Sequence, residues 1–245
     1  MTAGAKPVVF ECDGYCTCCS SATHFQSTDA WLRDHFICTR CASIPRERAL
    51  LKVIDQQFPN WKAGVLHESS PGGGASSARL ARECPGYFSS HFFAGHAPGS
   101  MVGNARCENL EALTFSDESI DLHVTQDVME HVLDPHAAFR EIARTLKPGG
   151  AHVFTAPLVN KANPTLQAAR REPDGSVTHL MAPEYHGNPI DPRGSLVTWR
   201  WGFDIARHIF EASGLFTEFY IYDDLSLGIR AEYIEVMVSR KPQRA

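Results

Sequence analysis

Hydrophobic and polar positions alternate with a period that changes along the chain, and the change is sharpest between Ile120 and Pro157. Ile120, Leu122 and Val124 form an apolar run ending in Thr125, Gln126 and Asp127, the pattern of a buried strand that delivers polar side chains to its carboxyl end. A helix is predicted next. Asp134 is placed to cap it, Pro135 suits its first position, and Phe139, Ile142, Ala143 and Leu146 form one apolar stripe. Lys147-Pro148-Gly149-Gly150 is expected to stop that helix, and His152 to Thr155 restart an extended run. The unit reads β-α-β. A right-handed crossover makes its two strands parallel neighbours, and ligands of open α/β sheets bind beyond strand carboxyl ends. Thr125 to Glu130 and Ala156-Pro157 are thereby placed at the mouth of a site.

The flanking pattern extends this unit. Val65 to Glu68 read as a short strand, Ser69 to Gly74 as a loop and Ala75 to Cys84 as a helix stopped by Pro85-Gly86. Glycines at a strand-to-helix turn let backbone N–H groups approach a ligand closely, so Gly72, Gly73 and Gly74 are candidate cofactor contacts. Tyr87 to Phe93 read as a second strand, and no Asp or Glu lies between Glu83 and Glu108. At the other end, Asp204 is placed to cap a helix with Ile205, Ile209 and Phe210 inward and Gly214 at its close. Two strands follow, FTEFYIY and EYIEVMVSR.

Cysteine spacing defines a separate module. Six of the eight cysteines fall in the first 41 residues, and Cys16-x-x-Cys19 and Cys38-x-x-Cys41 are separated by 18 residues. That is the spacing of a four-thiolate structural zinc site. Cys12, Cys18, His24 and His35 are alternative ligands, and disulfides or free thiols the alternative chemistry, while Cys84 and Cys107 read as small buried residues. Phe25, Trp31 and Phe36 are expected to pack against the metal. Three parts follow: a zinc-ribbon-like segment over 1–44, a linking helix over 45–63 with Leu50, Val53, Ile54 and Phe58 as its stripe, and an α/β domain over 64–245. The last carries an irregular insertion at 158–202, rich in Pro, Gly, Asn and Asp, that reads as a substrate lid.

The order D-V-x-E-H-V, L-K-P-G-G, then a strand ending in Pro resembles the class I S-adenosylmethionine-dependent methyltransferases, in particular the type 11 group. The resemblance implies a Rossmann-like sheet, mostly parallel with an antiparallel last strand, and S-adenosylmethionine as cofactor. It places His67 where the first motif usually carries an acid, with Glu68 one place on, and Asn109 and Leu110 where the adenine ring is held. The family's ribose-binding acid has no counterpart here. P-R-x-R-A-L after the second cysteine pair also resembles a subset of these enzymes with an N-terminal zinc-binding segment. Arg46 and Arg48 there read as a solvated helix start or as groups near the substrate mouth.

Gln126 and Asp127 are placed to face the methionine part of the cofactor or the substrate. Glu130 reads as capping the next turn, and His131 as either an acid-base group or a packed histidine. In the insertion, His186 and Tyr185 are the candidates for orienting or deprotonating an acceptor hydroxyl. The expected activity is methyl transfer to a small polar acceptor, a hydroxyl oxygen of a metabolite, sugar or natural product. The competing readings are an RNA methyltransferase with a zinc segment and a non-catalytic scaffold that binds a partner protein.

Composition narrows these readings. A hydrophobic content of 43% over 245 residues supports a sizeable core, and a formal charge of -5 without a long basic run speaks against nucleic acid as partner. No apolar run reaches the roughly 18 residues of a membrane span, and the start of the chain has no signal-peptide core, so a cytoplasmic protein is expected. A homodimer is compatible with the sequence.

Overall fold

The computed structural model describes residues 6–244. Residues 1–5, part of the stretch expected to lack a signal-peptide core, lie outside the described residues. The N-terminal segment is a three-stranded antiparallel ribbon. Strand β1 (Phe10–Cys16) pairs with β2 (Ser21–Ser27), which pairs with β3 (Ile37–Cys38) after the short helix α1 (Leu32–His35). Phe25 and Phe36 are fully buried in it, whereas Trp31, expected to pack there, is 40% exposed. Trp31 instead lies at the surface near Tyr233, with ring centroids 6.2 Å apart, and donates Nε1–H to Asp34.

Helix α2 (Pro45–Gln57) begins where Pro45 supplies a preset first turn and Glu47 accepts from the Ile44 N–H at 3.1 Å. Leu50, Leu51, Val53 and Ile54 are its buried face. The main sheet then builds from β4 (Leu66–Ser69), α3 (Ala75–Glu83), β5 (Tyr87–His91), β6 (Met101–Val102), β7 (Ala105–Cys107), β8 (Ile120–Gln126), α4 (Pro135–Thr145) and β9 (Leu146–Thr155). In the insertion lie the short strands β10 (Leu166–Gln167), β11 (Ala169–Arg171), β12 (Val177–His179), β13 (Tyr185–His186), β14 (Ser195–Leu196) and β15 (Trp199–Arg200). Helix α5 (Ile205–Ser213), β16 (Phe216–Tyr220) and β17 (Val236–Arg240) complete the chain.

The eight-stranded sheet runs β16-β17-β9-β8-β4-β5-β7-β6. Strands β9, β8, β4, β5 and β7 are parallel in sequence, while β17 enters antiparallel between β16 and β9. Alternation along the strands feeds two cores. Leu66, Val124, Val153 and Val238 face α2 and α3, and Phe154 and Met237 face α4 and α5. The result is a sheet covered on both sides.

Three local expectations are corrected. Helix α4 ends at Thr145, ahead of Lys147 to Gly150 as expected, but the extended run resumes at Leu146 rather than His152, and β9 absorbs these residues as an irregularity opposite Ile120 and Leu122. Gly149 takes φ +81°, and a Cβ on Gly150 would stand 2.8 Å from the Asp121 carbonyl oxygen, so glycine lets the bulge stay close to β8. Asp204 does not cap α5 with its side chain. Its carboxylate accepts from the Thr165 N–H and hydroxyl, tying the insertion to the helix start. Phe210 is not inward; it is 49% exposed and packs on Phe216.

Among the described residues no helix is long and apolar enough to cross a membrane. The sheet itself contains three buried histidines. His67 Nδ1 lies 3.0 Å from His123 Nδ1, His67 Nε2 is 2.8 Å from the Ser90 hydroxyl, and His152 Nε2 is 2.9 Å from the Thr125 hydroxyl. Burial pushes His67 and His152 down to about 3. Both must be neutral in the folded chain but bind protons near pH 6.5 when unfolded. Their contribution is therefore fully present above pH 6.5 and is lost as pH falls from there toward 3. Urea unfolding at a series of pH values between 7.5 and 5 should show stability falling by up to about 1.4 kcal/mol per pH unit for each histidine. A flat profile would contradict the buried neutral state.

Candidate active site

The carboxyl end of β4 is held by one buried carboxylate. Glu68 accepts from the Ser77 hydroxyl on α3, the Gln126 amide at the end of β8 and the Tyr87 hydroxyl on β5, each at 2.8 Å. Burial raises its pKa, and those three donors oppose the shift. His67 points away into the sheet, where both nitrogens are satisfied, so it does not reach the cavity described next. At this strand end the carboxylate is Glu68, and Ser70, Gly72 and Gly74 follow at intervals of two. Ser70 adopts φ +54°, a conformation that favours glycine, and Gly73 adopts φ +73°. Glu68 itself is fully buried and acts beneath the surface of the site.

Gly72, Gly74, Asn109, Leu110, Gln126, Asp127, His131 and His186 all line one cavity of about 1270 Å³. The loop after β4 and the Asn109-Leu110 segment thus share a hollow beyond the parallel strands. Asn109 uses its Oδ1 to accept from the Glu111 N–H at 3.0 Å, which fixes the side chain and leaves the other lone pair and the amide hydrogens for a ligand. His91 and Phe92, at the end of β5, stand on the same wall. They occupy the place where the sequence offered no acid.

Asp127 sits just past β8 at φ +51°. Its carboxylate receives Arg33 at 2.5 Å and Arg46 at 3.1 Å, and the Thr155 hydroxyl at 2.9 Å. Burial would raise this group, but the two guanidiniums hold it below the ordinary aspartate value. Arg33 carried no signal in the sequence. Arg46 did, in the P-R-x-R run after the second cysteine pair, as a solvated helix start or a group near the substrate mouth, and it lies on the cavity wall beside Asp127.

At the insertion end, Glu130 is buried with neither carboxylate oxygen hydrogen-bonded. The expectation that it caps a turn fails. Its backbone carbonyl is what anchors the chain, accepting from the Thr198 N–H and hydroxyl, while the carboxyl group faces two histidines. His131 Nε2 lies 3.7 Å and His186 Nδ1 lies 3.9 Å from Glu130 Oε1. His131 Nδ1 donates to the Leu196 carbonyl at 2.9 Å, which leaves its Nε2 as the acceptor facing Glu130. Burial, then the charge of Asp127, raises the Glu130 pKa well above its ordinary value, and burial lowers that of His131. The three side chains have the reach of a metal site as well as of a proton-transfer group. Tyr185 does not join them: it is 55% exposed and off the cavity wall, because β13 alternates and sends His186 inward.

Cys16, Cys19, Cys38 and Cys41 converge with all four sulfurs within 4.8 Å of one another. The Cys16–Cys41 and Cys19–Cys38 sulfurs are 3.7 Å and 3.9 Å apart. A tetrahedral zinc ion with bonds of about 2.3 Å needs sulfur pairs about 3.8 Å apart, so the spacing matches, and it is far beyond a disulfide bond. Cys12 and Cys18 lie outside the cluster; Cys12 points to the Leu225 carbonyl. His24 is tied to Asp13 and Glu11 on the surface.

Residues 70–154 match the family model described as a methyltransferase domain, the stretch that runs from the loop after β4 into the end of β9. Over that stretch the chain is similar to the methyltransferase domain family. A segment of 74 residues is 41% identical to the ubiquinone biosynthesis O-methyltransferase of Parvibaculum lavamentivorans, covering 30% of this chain and 27% of that enzyme. The match thus spans about a quarter of that relative's length. The methyltransferase fold recurs in an S-adenosylmethionine-dependent methyltransferase of Mesorhizobium loti, with TM-score 0.51, 15% identity, and 79% and 98% of the two chains covered. It recurs also in a complex of the Haloferax volcanii Trm112 methyltransferase activator with a methyltransferase, with TM-score 0.50, 18% identity, and 81% and 91% covered.

A neutral Glu130 makes a specific demand. Glu130→Gln, which keeps the shape of the protonated acid, should leave stability at pH 7 within about 1 kcal/mol of wild type in urea unfolding. A loss of about 3 kcal/mol or more would mean that an ionised, paired carboxylate had been removed.

Proposed function

We propose that this methyltransferase domain passes the methyl group of S-adenosylmethionine to a hydroxyl oxygen of a small polar acceptor. One observation carries the reading. A single cavity is lined at one end by Gly72, Gly74, Asn109, Leu110 and Gln126 and at the other by the His131–His186 pair of the insertion. When bound, S-adenosylmethionine supplies a methyl group already activated on a sulfonium, so the protein's task is alignment and management of one proton. Backbone N–H groups of the loop after β4 and the side chain of Asn109 hold the nucleoside in this reading, Leu110 packs against its base, and Gln126 with the Arg46–Asp127 pair meets the methionine end.

His186 takes the acceptor proton, with His131 beside it; the two rings stand edge to face with centroids 5.0 Å apart. Tyr185, exposed, keeps no part in this step. The four cysteines hold a structural zinc ion. The 41%-identical segment of an O-methyltransferase supports an oxygen acceptor, and the negative formal charge favours a small molecule over RNA. A second reading rests on the unpartnered carboxyl group of Glu130: Glu130, His131 and His186 together hold a divalent cation that fixes the acceptor oxygen.

Isothermal titration should show S-adenosylmethionine and S-adenosylhomocysteine binding, and a panel of hydroxylated acceptors should gain one methyl by mass. Absence of binding would return the chain to the scaffold reading, and an affinity for RNA that falls steeply with salt would favour the nucleic-acid one. His186→Ala should lower kcat by about a hundredfold, within the range for a general base, while the product's affinity stays within about twofold. Stimulation by added Mg²⁺ or Mn²⁺ that Glu130→Gln abolishes would select the cation reading. Metal analysis should find one zinc per chain, lost in Cys38→Ser.

A further inference from the structure

Both cysteine knuckles grip the helix that follows the cofactor loop. From the first knuckle, Thr17 offers its carbonyl to Arg79 of α3 at 2.9 Å, and its hydroxyl donates to the Arg48 carbonyl at 2.8 Å. Arg79 is 6% exposed and is fixed from its other side by Asp55 of α2, at 2.7 and 3.1 Å. Just past the second knuckle, Ser43 stands 3.3 Å from both the Cys16 and Cys41 sulfurs, and four residues further α2 carries Glu47. That carboxylate spans the gap. Its Oε2 accepts from the Ile44 N–H, and its Oε1 accepts from the Ser76 N–H at 3.1 Å and the Ser76 hydroxyl at 3.0 Å, in the first turn of α3. Glu47 lies so close to Gly74 that a Cβ there would run into it.

The same segment reaches the far side of the cofactor half. Arg33, between the knuckles, and Arg46, beside Glu47, both hold Asp127, while Arg48 donates to the carbonyls of Ser43, Phe36 and Gly228. Loop, helix start and Asp127 are therefore shaped by contacts that exist only while the knuckles hold their form. Metal sites of this kind fold with their ion, so the free energy of binding it is also free energy of forming those contacts.

We infer that the four-cysteine centre and the cofactor site are thermodynamically linked, with Glu47 and Arg79 as the positioning residues that carry the linkage. The inference rests on the cofactor and zinc assignments proposed above. Linkage is reciprocal: whatever factor zinc contributes to cofactor affinity, the cofactor contributes to zinc retention. Cofactor binding in this fold is consequently sensitive to any condition that strips or oxidises the knuckles.

The test measures both directions on the intact zinc-loaded chain. S-adenosylhomocysteine affinity is read by calorimetry before and after removal of zinc with a thiol-reactive displacer and chelator, and zinc release to a chromogenic chelator is timed with and without saturating S-adenosylhomocysteine. Affinity should fall by about tenfold on metal removal, and release should slow by about the same factor when the ligand is present. In Glu47→Gln, zinc content should stay at one per chain while the zinc-dependent ratio of affinities shrinks toward one. A change confined to melting temperature would mark Glu47 as merely structural and overturn the inference. So would zinc release that ignores the ligand in wild type. If metal removal unfolds the sheet, the release rates and Glu47→Gln decide. A zinc-loaded wild type that binds no S-adenosylhomocysteine would remove the functional reading and this one together, whereas binding without coupling would remove only the linkage.

Discussion

The site depends first on one carboxylate buried where three strands end. Glu68 accepts hydrogen bonds from β5, β8 and α3 at once. A buried acid is costly unless its oxygens are satisfied. Here the satisfaction sets the geometry, because two of the donors to Glu68, Ser77 and Gln126, also line the cavity. Gln126 is the clearest case. Its amide nitrogen is committed to Glu68, so its carbonyl oxygen is turned toward Ser76 and Arg46.

A comparable argument applies to the buried charges behind α2. Arg48 is fully buried and has no carboxylate against it; carbonyl oxygens and the rings of Phe25 and Phe36 surround it. Burial alone lowers its pKa. The four cysteine sulfurs lie within one hydrogen-bonded step of Arg48 through Ser43. Four thiolates holding a divalent ion there would carry net negative charge that the guanidinium offsets.

Much of this was legible before any coordinates. The parallel sheet followed from runs such as Ile120, Leu122 and Val124, because burial on both faces leaves a nearly continuous apolar strand. The Asp134 cap and the cysteine quartet were legible too, since each is a local pattern with one physical solution. The contacts that organise the site were not. His67 and Glu68 are adjacent, and choosing between them requires knowing which face of β4 turns toward α3. Arg46 and Glu47 lie 80 and 29 residues from their partners Gln126 and Ser76, a separation that no periodicity records. Glu130 was misread for the opposite reason: its sequence position matched a cap, but its backbone rather than its side chain does the anchoring. Tyr185 and His186 could be separated only by the alternation of a two-residue strand.

The insertion's short strands pair only with one another among the described residues, never with the eight-stranded sheet. It is tied to the domain by the Glu130 carbonyl, the Asp204 carboxylate and the Arg171–Glu111 ion pair, and Leu158 and Trp201 bury its two ends against α4 and α5. Such a layer is a replaceable face. Lengthening or re-sequencing its exposed hairpins would redraw that wall of the cavity while leaving the opposite wall at Gly72, Gly74, Asn109 and Leu110, and the Glu68 contacts behind it, untouched.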